Sequence, residues 1–519
     1  MQTLKLQDFS LYTKKVIGSR YAYAIRENAE SLGFDDRLQV ENAGFAIANI
    51  IKRTHKGSSV LIICGQGGKG GVGLALARHM IGYADVTACF VGRIEDADNQ
   101  TTKLNYRLLG EISDIIDVHE GEEAKLEEAL GRADIAIDAL IGIGLRGRAG
   151  LGAARAISLI NRHGKHVISI DIPSGIDPDT GAARGAYVKS DELLTLHKLK
   201  AGIATEGFTG STVVVDICMP LSAELLAGPG DLSLAIEPRR IGINKYSAGG
   251  VLIVGGGEHY HGAPLLASNA AQNAIAALRT AVGYATIFVP KGKEDVVRGL
   301  SQNAIVRGYD GEELSVDSLG FLSGVRHNVT IIGPGLGKSE TVCGGVRALV
   351  ERENAAKNLI VIDGDAIGAI SKHKNLLGRN VVLTPHHGEF TELTGVDSKN
   401  ATLGQLARRA ISFAKAYNCV IALKGHETII TDGNLLKVNI AKSSALATMG
   451  TGDVLSGIIA AYLASHKDVF ESTVAGVYLH SLVGDALNER MGPHILASDV
   501  VDSIPAVLKG IGKDRELID

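Results

Sequence analysis

The stretch Met449-Gly450-Thr451-Gly452-Asp453 stands directly before the apolar helical pattern VLSGIIAAYLASH. Glycines without side chains let backbone N–H groups converge on an anion at the positive end of a helix. An acidic side chain there can orient or deprotonate a hydroxyl nucleophile, which is the chemistry of phosphoryl transfer. The blander reading is a glycine-rich turn with Asp453 as its helix cap. A second glycine run, CGQGGKGGVG from Cys64 to Gly73, follows the apolar run Val60–Ile63. A nucleotide-triphosphatase loop needs its lysine followed by Ser or Thr to hold magnesium, and here the run ends in Gly73-Leu74-Ala75. A dinucleotide fingerprint through Gly65, Gly67 and Gly70 needs an acidic residue at the end of the second strand. VTACFV ends instead in Gly92-Arg93, where the acid is absent but an arginine could meet a 2′-phosphate.

The elements that must position these residues alternate strand and helix. VLIIC, VTACFV, DIAIDAL, VISID, LLTLH and STVVVD read as short strands, with polar or amphipathic helical stretches between several of them. Continuous apolar strands of this kind suit a parallel sheet covered on both faces. Ahead of them, VENAGFAIANIIKR carries Ala43, Ala46, Ile47, Ile50 and Ile51 at helical spacing, with Glu41 and Asn42 near its start. The turn cluster Gly228-Pro229-Gly230-Asp231 marks a change of texture. A second series then follows: VLIVGGG, ATIFVP, NVTIIG, LIVID, VVLT and CVIALKG, closed by three long helical patterns. The expectation is two α/β domains, residues 1–225 and 236–519. Ligands of open parallel sheets bind outside the carboxyl ends of the strands, so residues just after each strand are the candidates.

Composition narrows the partners. The 53 basic and 57 acidic residues nearly balance, aromatics are 4% and tryptophan is absent. This argues against a broad nucleic-acid footprint or base-stacking platforms. The five cysteines are scattered and no stretch is long and apolar enough to span a bilayer. A cytoplasmic enzyme acting on a small molecule, without nucleic-acid or membrane partners and assembling as a homo-oligomer, is the expectation.

In the second half, GAPLLA (262–267), GPGLG (333–337), DGDA (363–366), TPHHGEF (384–390), LKG (423–425) and GTGD (450–453) occur in one order. Together they resemble the ribokinase-like fold and its NAD(P)H-hydrate dehydratase branch, which uses ADP or ATP with magnesium. That resemblance implies that Lys424, Gly425, His426, Glu427 and Thr428 line the adenine nucleotide with Gly452. It implies that Asp453 faces the 6-hydroxyl of the hydrated nicotinamide ring and that Ala263, Gly335 and His386 contact the hydrated dinucleotide. Tyr260, Asp363, Asp365 and Glu389 also have plain structural readings, as packing, turn or helix-start residues. The same GTGD would serve a vitamin-precursor kinase with a non-catalytic first domain.

In the first half, ENAG (41–44), CGQG-x-x-GG-x-G (64–73), DALIGIGLRG (138–147), DIPSGID (171–177) and LHKLKAG resemble the Rossmann-like, three-layer NAD(P)H-hydrate epimerase domain. The resemblance implies that Gly68, Lys69, Gly70, Gly71 and Val72, with Gly142, Ile143, Gly144, Leu145, Arg146, Gly147 and Arg148, surround the hydrated dinucleotide. Asp171 would bind it, and Asp138 and Ser174 would hold a potassium ion. This chain departs from that pattern. Lys69 stands where the family has an asparagine ligand of potassium, and Val72 stands where it has a carboxylate. The expectation is that the Lys69 ammonium occupies the potassium position and neutralises Asp138, leaving epimerisation weakened or absent.

Overall fold

Hydrophobic strands separated by helices fold here into two large sheets, each with its own core, and residues 16–17 and 199–200 add a small two-stranded one. The computed structural model describes residues 5–206, 208–236, 250–257, 262–277, 284–300, 303–466 and 468–512. One compact unit is Lys14–Ala223; the other runs from Glu224 onward and includes the residues before Lys14. Among the described residues no helix is long and apolar enough to cross a membrane, and all five cysteines are unpaired.

The first unit is built on β1 (Val60–Cys64), β2 (Val86–Val91), β3 (Ile115–Val118), β4 (Ile135–Ala139), β5 (Val167–Ile170), β6 (Glu192–Leu196) and β7 (Ser211–Val215). The order is β3-β2-β1-β4-β5-β6-β7, parallel throughout. Its helices include α1 (Ser19–Ser31), α2 (Asp36–Thr54), α3 (Gly68–Met80) and α4 (Leu151–His163). Alternate residues of β1 serve opposite faces, as the strand period requires. Val60, Ile62 and Cys64 join a core with residues of α2 and α3. Leu61 and Ile63 join another with residues of α4. The five apolar residues expected on one face of α2 all belong to the first of these cores. That helix begins five residues before Glu41, because the Asp35 side chain accepts from the Leu38 amide at 3.1 Å and caps it there. The strand β3 falls in a stretch read from sequence as polar and helical. IIDV carries only two apolar residues before its aspartate, and three of its four residues are half-buried at the edge.

The second unit has β8 (Gly250–Val254), β9 (Tyr284–Pro290), β10 (Ile305–Tyr309), β11 (Val329–Ile332), β12 (Leu359–Ile362), β13 (Val381–Leu383), β14 (Val420–Leu423), β15 (Glu427–Thr431) and β16 (Leu436–Ile440). The order is β10-β9-β8-β11-β12-β13-β14-β15-β16. Its first seven members are parallel, whereas β15 and β16 run antiparallel. Short links explain the switch: only Lys424–His426 separate β14 from β15, too few for the crossover that a parallel pair needs. Its helices include α5 (Gly262–Ala277), α6 (Glu340–Ala355), α7 (Asp365–Ser371), α8 (His387–Thr394), α9 (Thr451–His466) and α10 (Val469–Met491). From Val454 to Ala464 every residue of α9 is buried, which accounts for its nearly unbroken apolar sequence.

The turn Leu6–Tyr12 groups with this second unit. Phe9 is 1% exposed and the Arg408 guanidinium lies 5.5 Å from its ring centre. Truncating a buried phenylalanine removes its transfer energy and leaves a void. Phe9→Ala should therefore destabilise the second unit by about 3 kcal/mol. In calorimetry the shift should be confined to the unfolding transition of that unit; a shift confined to the other transition would contradict this placement.

Candidate functional site

The second unit gathers its reactive side chains at the carboxyl ends of β11 to β14, facing the start of α9. Asp363, immediately after β12, is buried and accepts from Lys424 Nζ at 2.8 Å and from Ser456 Oγ at 2.5 Å. Burial pushes the Asp363 carboxyl up, but the Lys424 ammonium and these hydrogen bonds outweigh it and hold the group below its usual range. Burial likewise disfavours the Lys424 ammonium, yet Asp363, Glu389 and Asp453 around it raise its affinity for the proton.

Asp453 is the counterpart that this pairing leaves out. Burial, and then the charge of Asp363, push its carboxyl up to about 7, with Asp365 and Glu389 adding to the rise and Lys424 opposing it. At neutral pH the group is poised between acid and base, where proton transfer is most effective. It sits in the first turn of α9, among backbone amides that have no acceptor within the helix. Gly452 precedes it in the same turn.

Neighbouring loops are stitched to this centre. The His386 amide donates to Glu389 Oε2 at 2.7 Å, and the Glu389 amide donates to His386 Nδ1 at 3.1 Å, a reciprocal cap on α8. Glu389 takes the helix-start role, and its burial raises its pKa. The His386 ring is 61% exposed. The Lys424 amide donates to Pro385 O at 2.8 Å, tying the TPHH and LKG loops together. Gly425 and His426 form the turn into β15, Glu427 and Thr428 begin that strand, and the Thr428 hydroxyl donates to Gly425 O at 3.2 Å. Gly335 lies in the GPGLG turn at φ 66°. At Gly333, which opens that turn, a Cβ would stand 1.8 Å from Asp363 O, so only glycine lets the two loops meet. The Gly337 amide then donates to Asp365 Oδ2 at 2.9 Å. Ala263 is in the first turn of α5, and Leu266 of that helix abuts Gly450. Tyr260 lies outside the described residues.

These residues suit a phosphorylated nucleotide. Lys424 and the first amides of α9 offer positive charge, while Asp365, Glu389 and Asp453 offer carboxylates of the kind that hold a hydrated magnesium ion against phosphates. Sequence reasoning missed the roles of Asp363 and Ser456. The signal for Asp363 was its position at the end of a strand; Ser456 lies three residues beyond Asp453 on the same helix.

The first unit holds a cavity of about 710 Å³ where the strand order reverses between β1 and β4. Gly68, Lys69, Val72, Gly142, Ile143, Gly144, Asp171 and Lys200 line it. Gly70 and Gly71 do not: they are buried behind it, and at Gly70 a Cβ would stand 1.7 Å from Gly65 O. Leu145, Arg146, Gly147 and Arg148 also lie off the cavity wall, and the last three are exposed. The glycine run is thus largely the first turn of α3, with Gly67 at its cap.

Asp171 has φ 66° and accepts from the Leu196 amide at 3.0 Å and from the Lys200 ammonium. Lys200 also donates to Leu196 O at 2.8 Å and Lys198 O at 3.1 Å. This lysine was quoted in sequence only within LHKLKAG, without a role. Beneath the cavity, Lys69 Nζ donates to Asp138 Oδ2 at 3.0 Å, Ser174 Oγ at 3.0 Å, Ile172 O at 2.7 Å and Ile141 O at 3.3 Å. Burial pulls the Lys69 ammonium below its ordinary pKa, and Asp138 pulls against that. Asp138 further accepts from the amides of Leu140 and Ser174 and from the hydroxyls of Ser169 and Ser174. The oxygens expected around potassium therefore surround an ammonium, and the residues present leave no place for a metal ion beside it.

Comparison with known proteins fits both halves. The family described as NAD(P)H-hydrate dehydratase matches residues 251–506. The family described as YjeF-related protein N-terminus matches residues 38–202. A bifunctional NAD(P)H-hydrate repair enzyme of Pyrobaculum aerophilum is 34% identical over 498 residues, 94% of this chain and 97% of its own. The corresponding enzyme of Archaeoglobus fulgidus is 35% identical, covering 95% of this chain and 98% of its own. That of Methanothermobacter thermautotrophicus is 31% identical, covering 93% of each. Among solved structures, a ribokinase-like superfamily protein of Enterococcus faecalis V583 aligns with 55% of this chain and 96% of its own, at 27% identity and a TM-score of 0.48. Relatives above 30% identity that match nearly end to end, together with a family match in each half, show that this chain belongs to the bifunctional NAD(P)H-hydrate repair enzymes.

Proposed function

We propose that the second unit dehydrates the S form of hydrated NADH and NADPH, using ADP or ATP, and that the first unit interconverts the R and S forms, in the cytoplasm. The observation that carries the first half is Asp453: a carboxyl poised near neutrality, beside the Lys424–Asp363 pair and at the amino end of α9. Asp453 takes the proton of the ring 6-hydroxyl as that hydroxyl's oxygen bonds to the terminal phosphorus of the nucleotide; the bond from that phosphorus to its bridging oxygen breaks, and AMP leaves from ADP, or ADP from ATP. Lys424 and the Gly452 amide stabilise charge on the transferred group. Magnesium, when bound, neutralises the nucleotide phosphates. Phosphate then leaves C6 with its bonding electrons, and loss of the C5 proton restores the C5=C6 double bond. The enzyme gains by this route because phosphate is a far better leaving group than hydroxide.

In the first unit, the 710 Å³ cavity and the Asp171–Lys200 pair support binding and proton transfer at the hydrated ring. Val72 lines the same cavity and can neither accept a proton nor a hydrogen bond. Epimerisation is accordingly slow.

Incubating the protein with S-hydrate, magnesium and ADP or ATP should restore nicotinamide absorbance, and no recovery with either nucleotide would refute the dehydratase assignment. Since Asp453 must be ionised to act, kcat/KM should rise with pH through about 7 and level off above it; a flat profile from pH 5 to 8 would contradict its role. Asp453→Asn should lower kcat by at least about 100-fold while leaving thermal unfolding nearly unchanged. Val72→Asp should accelerate conversion of R-hydrate to S-hydrate by about 10-fold or more, and an unaltered rate would show that the valine is not what limits the first unit.

A further inference from the structure

Lys69 leaves the first turn of α3 and carries its ammonium below the cavity floor, where its side chain is 2% exposed and that of Asp138 is 0% exposed. Its partners come from two loops: Ile141 O follows β4, while Ile172 O and Ser174 Oγ follow β5. None of these oxygens has a proton to give it, because Ser174 spends its own on Asp138 at 2.5 Å. Whatever occupies the centre must therefore present hydrogen-bond donors or a positive charge to these oxygens. The four contacts, 2.7 to 3.3 Å long, are wider than the roughly 2.0–2.6 Å that magnesium and calcium require. The cage has the size of an ammonium or a large monovalent ion. Asp138 is the one carboxylate it touches, and Asp171, which acts on it from farther off, is matched by Lys200, so a single positive charge leaves the buried cluster neutral.

We propose that Lys69 is a tethered cation that replaces a freely bound monovalent ion, so that the ligand edge of the first unit is complete without potassium. An exchangeable ion is lost when its concentration falls; a side-chain ammonium is held there by the chain. The same group fastens the loop bearing Gly142–Gly144 to the turn bearing Asp171, whose left-handed backbone at φ 66° needs such support. Removing it leaves the buried Asp138 carboxylate with its hydrogen bonds but no counter-charge, so that it must take up a proton or an external cation. The inference deepens the epimerase reading of this site but rests on the ion cage, so it stands or falls on ion binding whether or not the unit epimerises.

The test is thermal unfolding of the full chain and of Lys69→Asn in potassium-free buffer, titrated with KCl or with LiCl at matched ionic strength. The wild-type transition of the first unit should not respond to potassium. Lys69→Asn should unfold about 10 °C lower in lithium and recover saturably with potassium. A saturable potassium response in the wild type would overturn the proposal, as would a folded Lys69→Asn protein indifferent to potassium. If Lys69→Asn does not fold, Lys69→Met fills the space without charge and should be destabilised with no potassium rescue; rescue of that variant would contradict the proposal. Crystals of the wild type soaked in thallium(I) should show no anomalous peak beside Asp138, and a peak there would refute it directly.

Discussion

Each unit depends on a buried lysine–aspartate pair at the carboxyl edge of its sheet, Lys69–Asp138 in the first and Lys424–Asp363 in the second. A parallel sheet converges strand ends, helix starts and glycine turns on this edge, and the resulting site is dry and rich in oxygen atoms. An ionised carboxylate without a counter-charge is costly there, so Asp138 and Asp363 each take an ammonium and further hydrogen bonds. Breaking such a pair by removing one partner typically costs about 3–5 kcal/mol, because the other charge is left behind. The two pairs thus fix the loops on which everything else is mounted.

What differs is the carboxylate left over. In the second unit, Lys424 cannot neutralise Asp363, Glu389 and Asp453 together, and the excess negative charge in a buried setting holds Asp453 near neutrality. Burial first, and then the charge of Asp363, which Lys424 offsets only in part, therefore make Asp453 a poised acid–base group. In the first unit Asp171 has its own lysine, Lys200, and Lys69 is occupied with Asp138, so the two carboxylates are separately matched. Where the sequence resemblance leads one to expect a further carboxylate, the cavity is lined by aliphatic Val72. Similar strand orders, β3-β2-β1-β4 and β10-β9-β8-β11, thus support sites of different electrostatic character.

Much of this was legible in the sequence because parallel sheets impose a simple rule. Apolar strands ending in Asp138, Asp363 or Gly333 place those residues on the ligand edge whatever their partners are. Edge strands were harder to read. IVRGY in β10 alternates exposed and buried residues at the rim of the sheet, and nothing in it resembles the continuous apolar run of a central strand. The hairpin β15–β16 is hard to read because ETIIT and LKVNI mix polar and apolar residues; only the four residues 432–435 join the two strands, too few for a crossover. The Asp171–Lys200 pair joins residues 29 apart and depends on a left-handed backbone at Asp171, which sequence does not announce. Nor does LQDFSLY reveal its unit, since of its residues only Phe9 is buried.

That hydroxide leaves the nicotinamide ring only after conversion to phosphate is the central claim, and the oxygen atom itself reports on it. Hydrated NADH carrying ¹⁸O at the 6-hydroxyl, treated with the protein, magnesium and ADP or ATP, should yield unlabelled NADH and inorganic phosphate containing one ¹⁸O atom, read by mass spectrometry. Recovery of the label in water, with unlabelled phosphate released, would contradict the account.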